Sequence, residues 1–220
     1  MMKGLEKMQT TREMVMRLTR YRSVLEKLRS LGFVKVFSDN LADALGVSSA
    51  LVRKDFSAFH LTGNKRGGYK VEDILARLNN ILGKDEEQKV IIVGCGKIGT
   101  ALMNYRGFSR ERIRVVAGFD ANPDRLAPQA PIPVLDPSRL KAVVNKEQVR
   151  VAVLTVPESA ATQAADQLAD AGIKGILNFA PALLKGGPEL VIQNINIASE
   201  IENIFYLVHF IQHGIKGDLE

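Results

Sequence analysis

The chain has 220 residues, of which 46% are hydrophobic and 25% charged, and this composition is typical of a soluble globular protein with one or two domains. It contains no run of about 18 uncharged apolar residues, and its first residues are polar and charged, so we expect neither a membrane span nor a signal peptide, and a cytoplasmic location. The single Cys95 excludes an internal disulfide, and no Cys/His cluster has the spacing of metal ligands.

The net charge of +6 is concentrated in the first part of the chain. Residues 1–80 contain 15 Lys and Arg against 8 Asp and Glu, a net charge of +7, whereas residues 81–220 contain 15 against 16, a net charge of −1. A basic surface confined to one domain is typical of a protein that binds a polyanion. A polar stretch at residues 83–88 then separates the two parts. We therefore predict a DNA-binding domain at residues 1–84, a second domain at residues 85–197 and a terminal helix at residues 198–220.

Apolar residues at helical spacing predict four helices in the first domain, at residues 9–31, 39–45, 49–59 and 71–82. The second and third of these have the features of two helices that cross at a tight turn. Ala42 is small where the helices approach, Gly46 can adopt a left-handed backbone conformation in the turn, and Val52 fills the core. Ser48 or Ser49 is in position to cap the third helix. The pattern predicts a helix-turn-helix motif.

The third helix is the predicted recognition helix. With Val52 and Phe56 turned inward, its outward face carries four residues that are compatible with a DNA groove: Ser49, Arg53, Lys54 and Ser57. Arg53 and Lys54 can pair with guanine acceptors or with phosphates of double-stranded DNA.

Residues 59–69 predict a short hairpin with a basic tip. Glycines flank Lys65 and Arg66, and this allows the backbone to approach DNA closely while the two side chains reach phosphates or the minor groove. Such a hairpin is a wing, so the first domain is predicted to be a winged helix-turn-helix.

From residue 89 onward, predicted strands and helices alternate. Near-continuous apolar strands at residues 89–94, 113–120, 149–156 and 174–179 are separated by helical segments at residues 97–105 and 158–171. This alternation predicts an α/β domain with a Rossmann-type parallel sheet covered on both faces. The last helix, at residues 198–216, is apolar around much of its circumference and therefore needs a partner surface.

A glycine motif follows the first of these strands and opens the next helix. In Gly94-Cys-Gly96-Lys-Ile-Gly99, the first glycine allows a tight turn, the second lets the backbone approach a pyrophosphate, and the third lets the helix pack against the strand. Asp120 ends the next strand, where a carboxylate accepts from a free ribose 2′-OH and favours NAD(H) over NADP(H). Arg125 lies nearby and can accommodate a 2′-phosphate.

Three functions are compatible with these motifs. A transcription regulator switched by NAD(H) uses both domains. An NAD(H)-dependent oxidoreductase would need an acid or base beside the nicotinamide and a substrate domain, and no such group is evident, so we expect no enzymatic activity. A regulator that senses another nucleotide such as coenzyme A remains the third hypothesis, although Asp120 favours a ligand with a free ribose 2′-OH.

Several segments together resemble the Rex family of bacterial redox-sensing repressors, which bind operator DNA when free or NAD+-bound and release it on binding NADH. The segments that carry the resemblance are Arg17-Leu-Thr-Arg-Tyr-Arg22, Val52-Arg-Lys-Asp-Phe56, the glycine motif, Tyr105-Arg-Gly-Phe108, Leu154-Thr-Val-Pro157 and Gly172-Ile-Lys-Gly-Ile-Leu-Asn-Phe-Ala-Pro181. The resemblance implies a homodimer in which the terminal helix is swapped between subunits, and it adds Arg17 to the expected DNA contacts.

The resemblance also implies a set of cofactor contacts. They are Gly94, Cys95, Gly96, Lys97, Ile98 and Gly99 in the loop, Asp120 at the ribose, Thr155, Val156, Pro157, Asn178, Phe179 and Ala180 elsewhere, and Tyr105 near the nicotinamide. Family members use an Arg, a Tyr and an Asp as a redox-dependent switch network between subunits. Arg22 and Tyr105 match the first two residues, whereas Asn196 stands where the family has Asp.

Overall fold

The computed structural model of the chain describes residues 12–61, 63 and 67–213. They form two compact units, the first ending at Glu86 and the second beginning at Glu87. No helix in this part of the chain is long and apolar enough to span a lipid bilayer.

The first unit is mainly helical. Its elements are α1 (Arg12–Ser30), β1 (Lys35–Val36), α2 (Ser38–Leu45), α3 (Ser49–Ala58), β2 (Tyr69–Lys70) and α4 (Val71–Ile81). The two short strands pair antiparallel, with Lys35 opposite Lys70. All four predicted helices are present, but the predicted start of the first, at residue 9, lies outside the described residues.

The turn between α2 and α3 confirms the predicted helix-turn-helix. Gly46 adopts the left-handed conformation at φ 64°, and the Oγ atom of Ser48 caps α3 by accepting from the backbone N–H of Leu51 at 3.2 Å. Val52 and Phe56 are completely buried, and the Phe56 ring packs edge-to-face against Tyr21 of α1, with centroids 5.4 Å apart. Burial of one face of α3 fixes which residues of that helix remain on its exposed face.

A buried carboxylate ties α1 to α3. Asp55, which is 1% exposed, accepts from Arg17 through both oxygens, at 2.7 Å from Nε and 2.9 Å from Nη2. The Tyr21 hydroxyl donates to the same carboxylate at 2.9 Å. The resemblance predicts that Arg17 contacts DNA. In the structure, two of its three side-chain nitrogens donate to Asp55 and thereby hold α3 against α1.

The predicted wing takes a different form in the described residues. A hairpin within residues 59–69 would pair the two arms of that segment. In the structure, β2 pairs instead with β1, which precedes the helix-turn-helix in the sequence. The first arm is not a strand because Phe59 continues the end of α3, its backbone N–H donating to Asp55 O, and His60 turns the chain at φ 56°. Lys65 and Arg66 at the predicted tip lie outside the described residues.

The second unit is an α/β fold with one six-stranded parallel sheet. Its strands are β3 (Gln88–Val93), β4 (Ile113–Phe119), β5 (Val134–Leu135), β6 (Val151–Leu154), β7 (Gly175–Asn178) and β8 (Val191–Asn194). Its helices are α5 (Lys97–Met103), α6 (Gly107–Arg110), α7 (Leu140–Glu147), α8 (Glu158–Asp170) and α9 (Ile197–His213), with 3-10 turns at Pro123–Arg125 and Pro137–Arg139.

The strand order is β5-β4-β3-β6-β7-β8, which is the order of the doubly wound dinucleotide-binding fold and confirms the predicted Rossmann-type sheet. The order reverses between β3 and β6, and ligands of such sheets bind beyond the carboxyl ends of the strands at this point. The edge strands β5 and β8 were not predicted, because β5 has only two residues and β8 has two apolar residues followed by Gln193 and Asn194, so neither shows a hydrophobic period.

Helix α9 has a surface that does not suit exposure to water. Its large apolar side chains are 43–83% exposed, including Phe205 at 69% and Phe210 at 53%, although a helix on its own domain normally buries such residues. The described helix begins at Ile197 and extends to His213, and the remainder of the predicted segment lies outside the described residues.

We expect Asp55→Asn to lower the free energy of unfolding by about 2–4 kcal/mol, near the lower end of the range for breaking a buried ion pair because Arg17 stays partly exposed. Urea denaturation followed by circular dichroism measures this loss. Asp43→Asn is the matched control, because Asp43 is exposed on α2, and it should change the stability by less than about 0.5 kcal/mol. Equal effects of the two substitutions would contradict a structural role for Asp55.

Candidate functional site

The loop after β3 is shaped by two glycines that the fold requires. Gly94 has φ 94°, and a Cβ there would lie 2.7 Å from the carbonyl carbon and oxygen of Thr155, at the end of the neighbouring strand. A Cβ at Gly99 would collide with the carbonyl oxygen of Gly94. Both positions therefore admit no side chain, as the glycine motif predicts, because the loop, α5 and the end of β6 pack in direct contact.

Gly96, the middle glycine, differs from the other two. Its φ of −71° suits any residue, and a Cβ built there has Nη1 of Arg125, at 3.8 Å, as its nearest neighbour. The protein itself therefore leaves room for a side chain at this position. A bound group that must approach the backbone gives a reason for glycine here, and a dinucleotide pyrophosphate fits that requirement.

Asp120, the predicted ribose contact, lies directly after β4. It is 6% exposed; its Oδ2 accepts from the backbone N–H of Cys95 at 2.7 Å and from Arg125 Nη1 at 3.1 Å, and its Oδ1 accepts from the backbone N–H of Asn122 at 2.8 Å. Burial alone would raise its pKa, but these hydrogen bonds from Asn122, Arg125 and Cys95 outweigh burial and hold the pKa below its usual range. Asp120 is therefore a carboxylate at neutral pH.

A cavity of about 530 Å³ lies over this loop, beyond the carboxyl ends of the strands. Eight of the predicted cofactor contacts line it: Gly94, Gly96, Ile98, Asp120, Thr155, Val156, Pro157 and Phe179. Its volume is within the range of small-molecule sites, and its position matches the place where a doubly wound sheet binds a dinucleotide.

The other predicted cofactor contacts do not line this cavity. Asn178 is buried and makes internal bonds, its Nδ2 donating to Ala182 O and Asn194 Oδ1 and its Oδ1 accepting from the backbone N–H of Ala180. Ala180 itself lies in the hydrophobic core. Asn178 therefore shapes the loop after β7, and its side chain does not face the cavity.

Three predicted contacts in the glycine motif, Cys95, Lys97 and Gly99, also do not line the cavity. The backbone N–H of Cys95 nevertheless donates to Asp120. Tyr105 is 59% exposed, packs edge-to-face on Phe108 and lines a separate cavity of about 490 Å³. Within this unit, the structure does not bring Tyr105 to the cavity over the glycine loop.

Sequence reasoning missed part of the cavity wall. Gln163 and Gln167 lie one turn apart on α8 and line the cavity, as do Pro137 and Leu140. No motif marks them, and the helical spacing of four residues between two polar side chains is common on any exposed helix face.

The predicted DNA face is exposed on α3. Arg53, Lys54 and Ser57 are exposed and Ser49 is half-buried. Nη1 of Arg53 donates to the Oγ atom of Ser38 at 3.0 Å, so the first residue of α2 orients this guanidinium.

The remaining switch residues already have local partners. Arg22 is 5% exposed and pairs with Glu26 at 2.6 Å, one turn along α1. The Oδ1 atom of Asn196 accepts from the backbone N–H of Ser199 at 3.2 Å and thereby caps α9. Among the described residues, no group of His, Cys, Asp and Glu side chains is arranged to hold a metal ion.

Cys95 is expected to be chemically inert. Burial, with the nearby Asp120 carboxylate, raises the pKa of its thiol to about 11, so at pH 7.5 the reactive thiolate is roughly a hundredfold scarcer than for the same thiol at its ordinary pKa. We expect iodoacetamide to label the native protein at least tenfold more slowly than the urea-unfolded protein, as measured by mass spectrometry. Equal labelling rates would contradict the buried position.

Comparisons with known proteins agree with both units. Residues 11–57 match the family of putative DNA-binding protein N-termini, and residues 85–182 match the CoA-binding domain family. A crystal structure of RSP in complex with β-NAD+ and operator DNA superposes with a TM-score of 0.86 at 28% identity, covering 96% of this chain and 98% of that one. The structure of RSP with β-NADH superposes with a TM-score of 0.80 at 28% identity, covering 94% of this chain and 97% of that one.

Curated relatives match along most of their length. The redox-sensing transcriptional repressor Rex of Lactobacillus gasseri is 38% identical over 193 residues, which is 87% of this chain and 90% of the relative. The Rex of Lactobacillus acidophilus is 35% identical over 207 residues, 93% of this chain and 97% of the relative. The chain therefore belongs to the Rex family of redox-sensing transcriptional repressors.

Proposed function

We propose that this repressor binds operator DNA through α3 and releases it when NADH occupies the cavity over the glycine loop. The observation that carries the nucleotide half is Gly96, where the fold leaves room for a side chain and a pyrophosphate gives a reason for glycine. The ionised Asp120 at the end of β4 supports this proposal, because a carboxylate at that position can accept from the free ribose 2′-OH of NAD(H).

The DNA half of the proposal rests on charge and exposure. The first 80 residues carry a net charge of +7, and α3 exposes Arg53 and Lys54 opposite its buried face. A cationic helix of this kind fits the major groove. Lys65 and Arg66 would add contacts to the DNA backbone or the minor groove.

The proposed switch requires two copies of the chain. A second copy would cover the apolar surface of α9, which the fold of one chain leaves exposed. Arg22, Tyr105 and Asn196 would then form a hydrogen-bond network between subunits that differs for NADH and NAD+. Asn196 would take part in this network through its uncharged carboxamide. The protein would act as a cytoplasmic homodimer without enzymatic activity.

Coenzyme A is the second candidate ligand, because residues 85–182 match the CoA-binding domain family. An adenosine diphosphate group is common to coenzyme A and NAD(H), so the glycine loop alone does not separate them. The two ligands differ in that NAD(H) has a nicotinamide and exists in an oxidised and a reduced form.

A gel-shift titration tests the proposal. A palindromic A·T-rich operator is titrated with purified protein at fixed salt, alone and with NADH, NAD+, NADPH or coenzyme A. Release of the operator by NADH and not by NAD+ supports the redox switch. Tight DNA binding that no nicotinamide nucleotide alters would overturn it, and release by coenzyme A would establish the second candidate.

We expect Arg53→Ala to weaken operator binding by about 1–3 kcal/mol, roughly 5- to 150-fold, because the exposed guanidinium is replaced by a methyl group on the DNA face of α3. Fluorescence anisotropy with a labelled operator measures the loss. Arg29→Ala removes the same charge at the end of α1, where Arg29 lies 3.6 Å from Glu72, and should have a smaller effect. Equal losses in both variants would show that only net charge matters.

We expect Gly96→Val to abolish the response to NADH while sparing DNA binding. A Cβ at this position has room within the protein, and the valine side chain would occupy the space that the pyrophosphate needs. Calorimetric NADH titration and the gel shift are the two measurements. Gly187→Val is the control, because Gly187 is an exposed glycine that does not line the cavity and has open space around a Cβ. A normal NADH response of Gly96→Val would disprove the location of the site.

A further inference from the structure

Arg53, on the exposed face of α3, is held by an uncharged side chain of α2. Its Nη1 atom donates to the Oγ atom of Ser38 at 3.0 Å. Arg17 differs, because two of its nitrogens donate to the Asp55 carboxylate. A carboxylate orients a guanidinium and also neutralises its charge, whereas a hydroxyl only orients it. Arg53 is therefore positioned by the protein and, being exposed, keeps its positive charge available to a ligand.

Ser38 is a fixed anchor for this hydrogen bond. It is the first residue of α2 and is 8% exposed. The preceding residue, Phe37, donates its backbone N–H to the Oδ1 atom of Asn40 at 2.8 Å and so begins the helix. One residue earlier, Val36 ends β1 and pairs with Tyr69 of β2. The backbone of Ser38 is thus held by a helix on one side and a strand pair on the other.

The guanidinium of Arg53 also lies close to Tyr69. Burial raises the pKa of the Tyr69 hydroxyl, and the nearby Arg53 charge opposes that rise. The Tyr69 ring is itself fixed by edge-to-face packing on Phe56 of α3, with the ring centroids 5.0 Å apart. The position of the Arg53 guanidinium is therefore defined by three elements of the first unit, namely α2, α3 and β2.

The bond to Ser38 leaves most of the hydrogen-bonding capacity of Arg53 for a ligand. A guanidinium has five N–H donors in one plane, so a single bond from Nη1 leaves four. Two parallel donors of this group match O6 and N7 of a guanine in the major groove. A phosphate accepts a side chain in many orientations, but a guanine edge accepts this pair only when the guanidinium plane has the right orientation.

We propose that Ser38 is a positioning residue that orients Arg53 to read a guanine of the operator. This inference rests on the DNA half of the proposed function. It makes Arg53 a source of sequence specificity as well as of electrostatic attraction. Without the Ser38 hydroxyl, Arg53 keeps its charge and its attraction to DNA but loses the orientation that the base contact needs.

The test is fluorescence anisotropy of the full-length protein, without nucleotide, on the palindromic operator and on variants with one G·C pair of each half-site replaced by A·T. Arg53→Ala identifies the pair whose discrimination depends on Arg53. Ser38→Ala should weaken operator binding by about 3- to 10-fold and lower the discrimination at that same pair by about fivefold or more. The slope of log Kd against log salt concentration should not change, because Arg53 stays charged.

Three further variants separate positioning from a general structural effect. Ser38→Thr keeps the hydroxyl and should keep the discrimination. Ser38→Ala combined with Arg53→Ala should lower the discrimination no further than Arg53→Ala alone, because the two residues act as one unit. Ser30→Ala is the matched control, since it removes an exposed hydroxyl at the end of α1 that donates to Lys27 O, and it should change neither affinity nor discrimination.

The outcomes that overturn the proposal are distinct. Equal weakening on every operator variant by Ser38→Ala would assign Ser38 a structural role only. Equal weakening on every variant by Arg53→Ala would assign Arg53 to a phosphate and leave no base contact to position. Failure of the unsubstituted protein to prefer the operator over unrelated DNA would instead overturn the DNA half of the proposed function.

Discussion

The turn at Gly94 is the constraint on which the second unit depends. β3 is central in the sheet, and its end is joined to both neighbours, since Gly94 N–H donates to Phe119 O and Thr155 N–H donates to Val93 O, each at 2.8 Å. The Thr155 hydroxyl also donates to Gly94 O, at 2.5 Å. A side chain at Gly94 would separate these strand ends. The residues that join these strand ends, Gly94 and Thr155, also line the cavity, so the packing of the strand ends and the shape of the site depend on the same contact.

Each unit contains one buried carboxylate that holds a functional segment in place, but the two differ in their donors. Asp55 is held by the side chains of Arg17 and Tyr21, so it joins two helices and orients α3. Asp120 is held largely by backbone N–H groups of its own loops and by a half-exposed Arg125. Each carboxylate accepts three hydrogen bonds, two through Oδ2 and one through Oδ1. The two differ in position, because Asp120 lines a cavity whereas Asp55 lies between α1 and α3.

The sequence was sufficient where function depends on neighbouring residues. The glycine motif, the capped turn at Gly46 and the carboxylate at the end of β4 are each set by local backbone requirements, and the structure has all three. It was insufficient where a side chain has a distant partner. The sequence does not show that Arg17, a predicted DNA contact, pairs with Asp55, 38 residues away. It likewise does not show that Asn178, a predicted ligand contact, donates to Asn194, 16 residues away. Polar side chains have several possible partners, and only the fold chooses among them.

The exposed apolar surface of helix α9 determines how nucleotide binding could affect DNA binding. Nine of its large apolar side chains are substantially exposed within one chain, and burying them against a second copy would stabilise a dimer by on the order of 10 kcal/mol per helix. Driving a two-state equilibrium from one form almost entirely to the other requires a differential affinity of about 5.5 kcal/mol. A ligand whose affinities for two dimer geometries differ by that amount could change the geometry of such a dimer without dissociating it. In the proposed function, DNA would be released through a change in the spacing of two α3 helices, with the dimer intact.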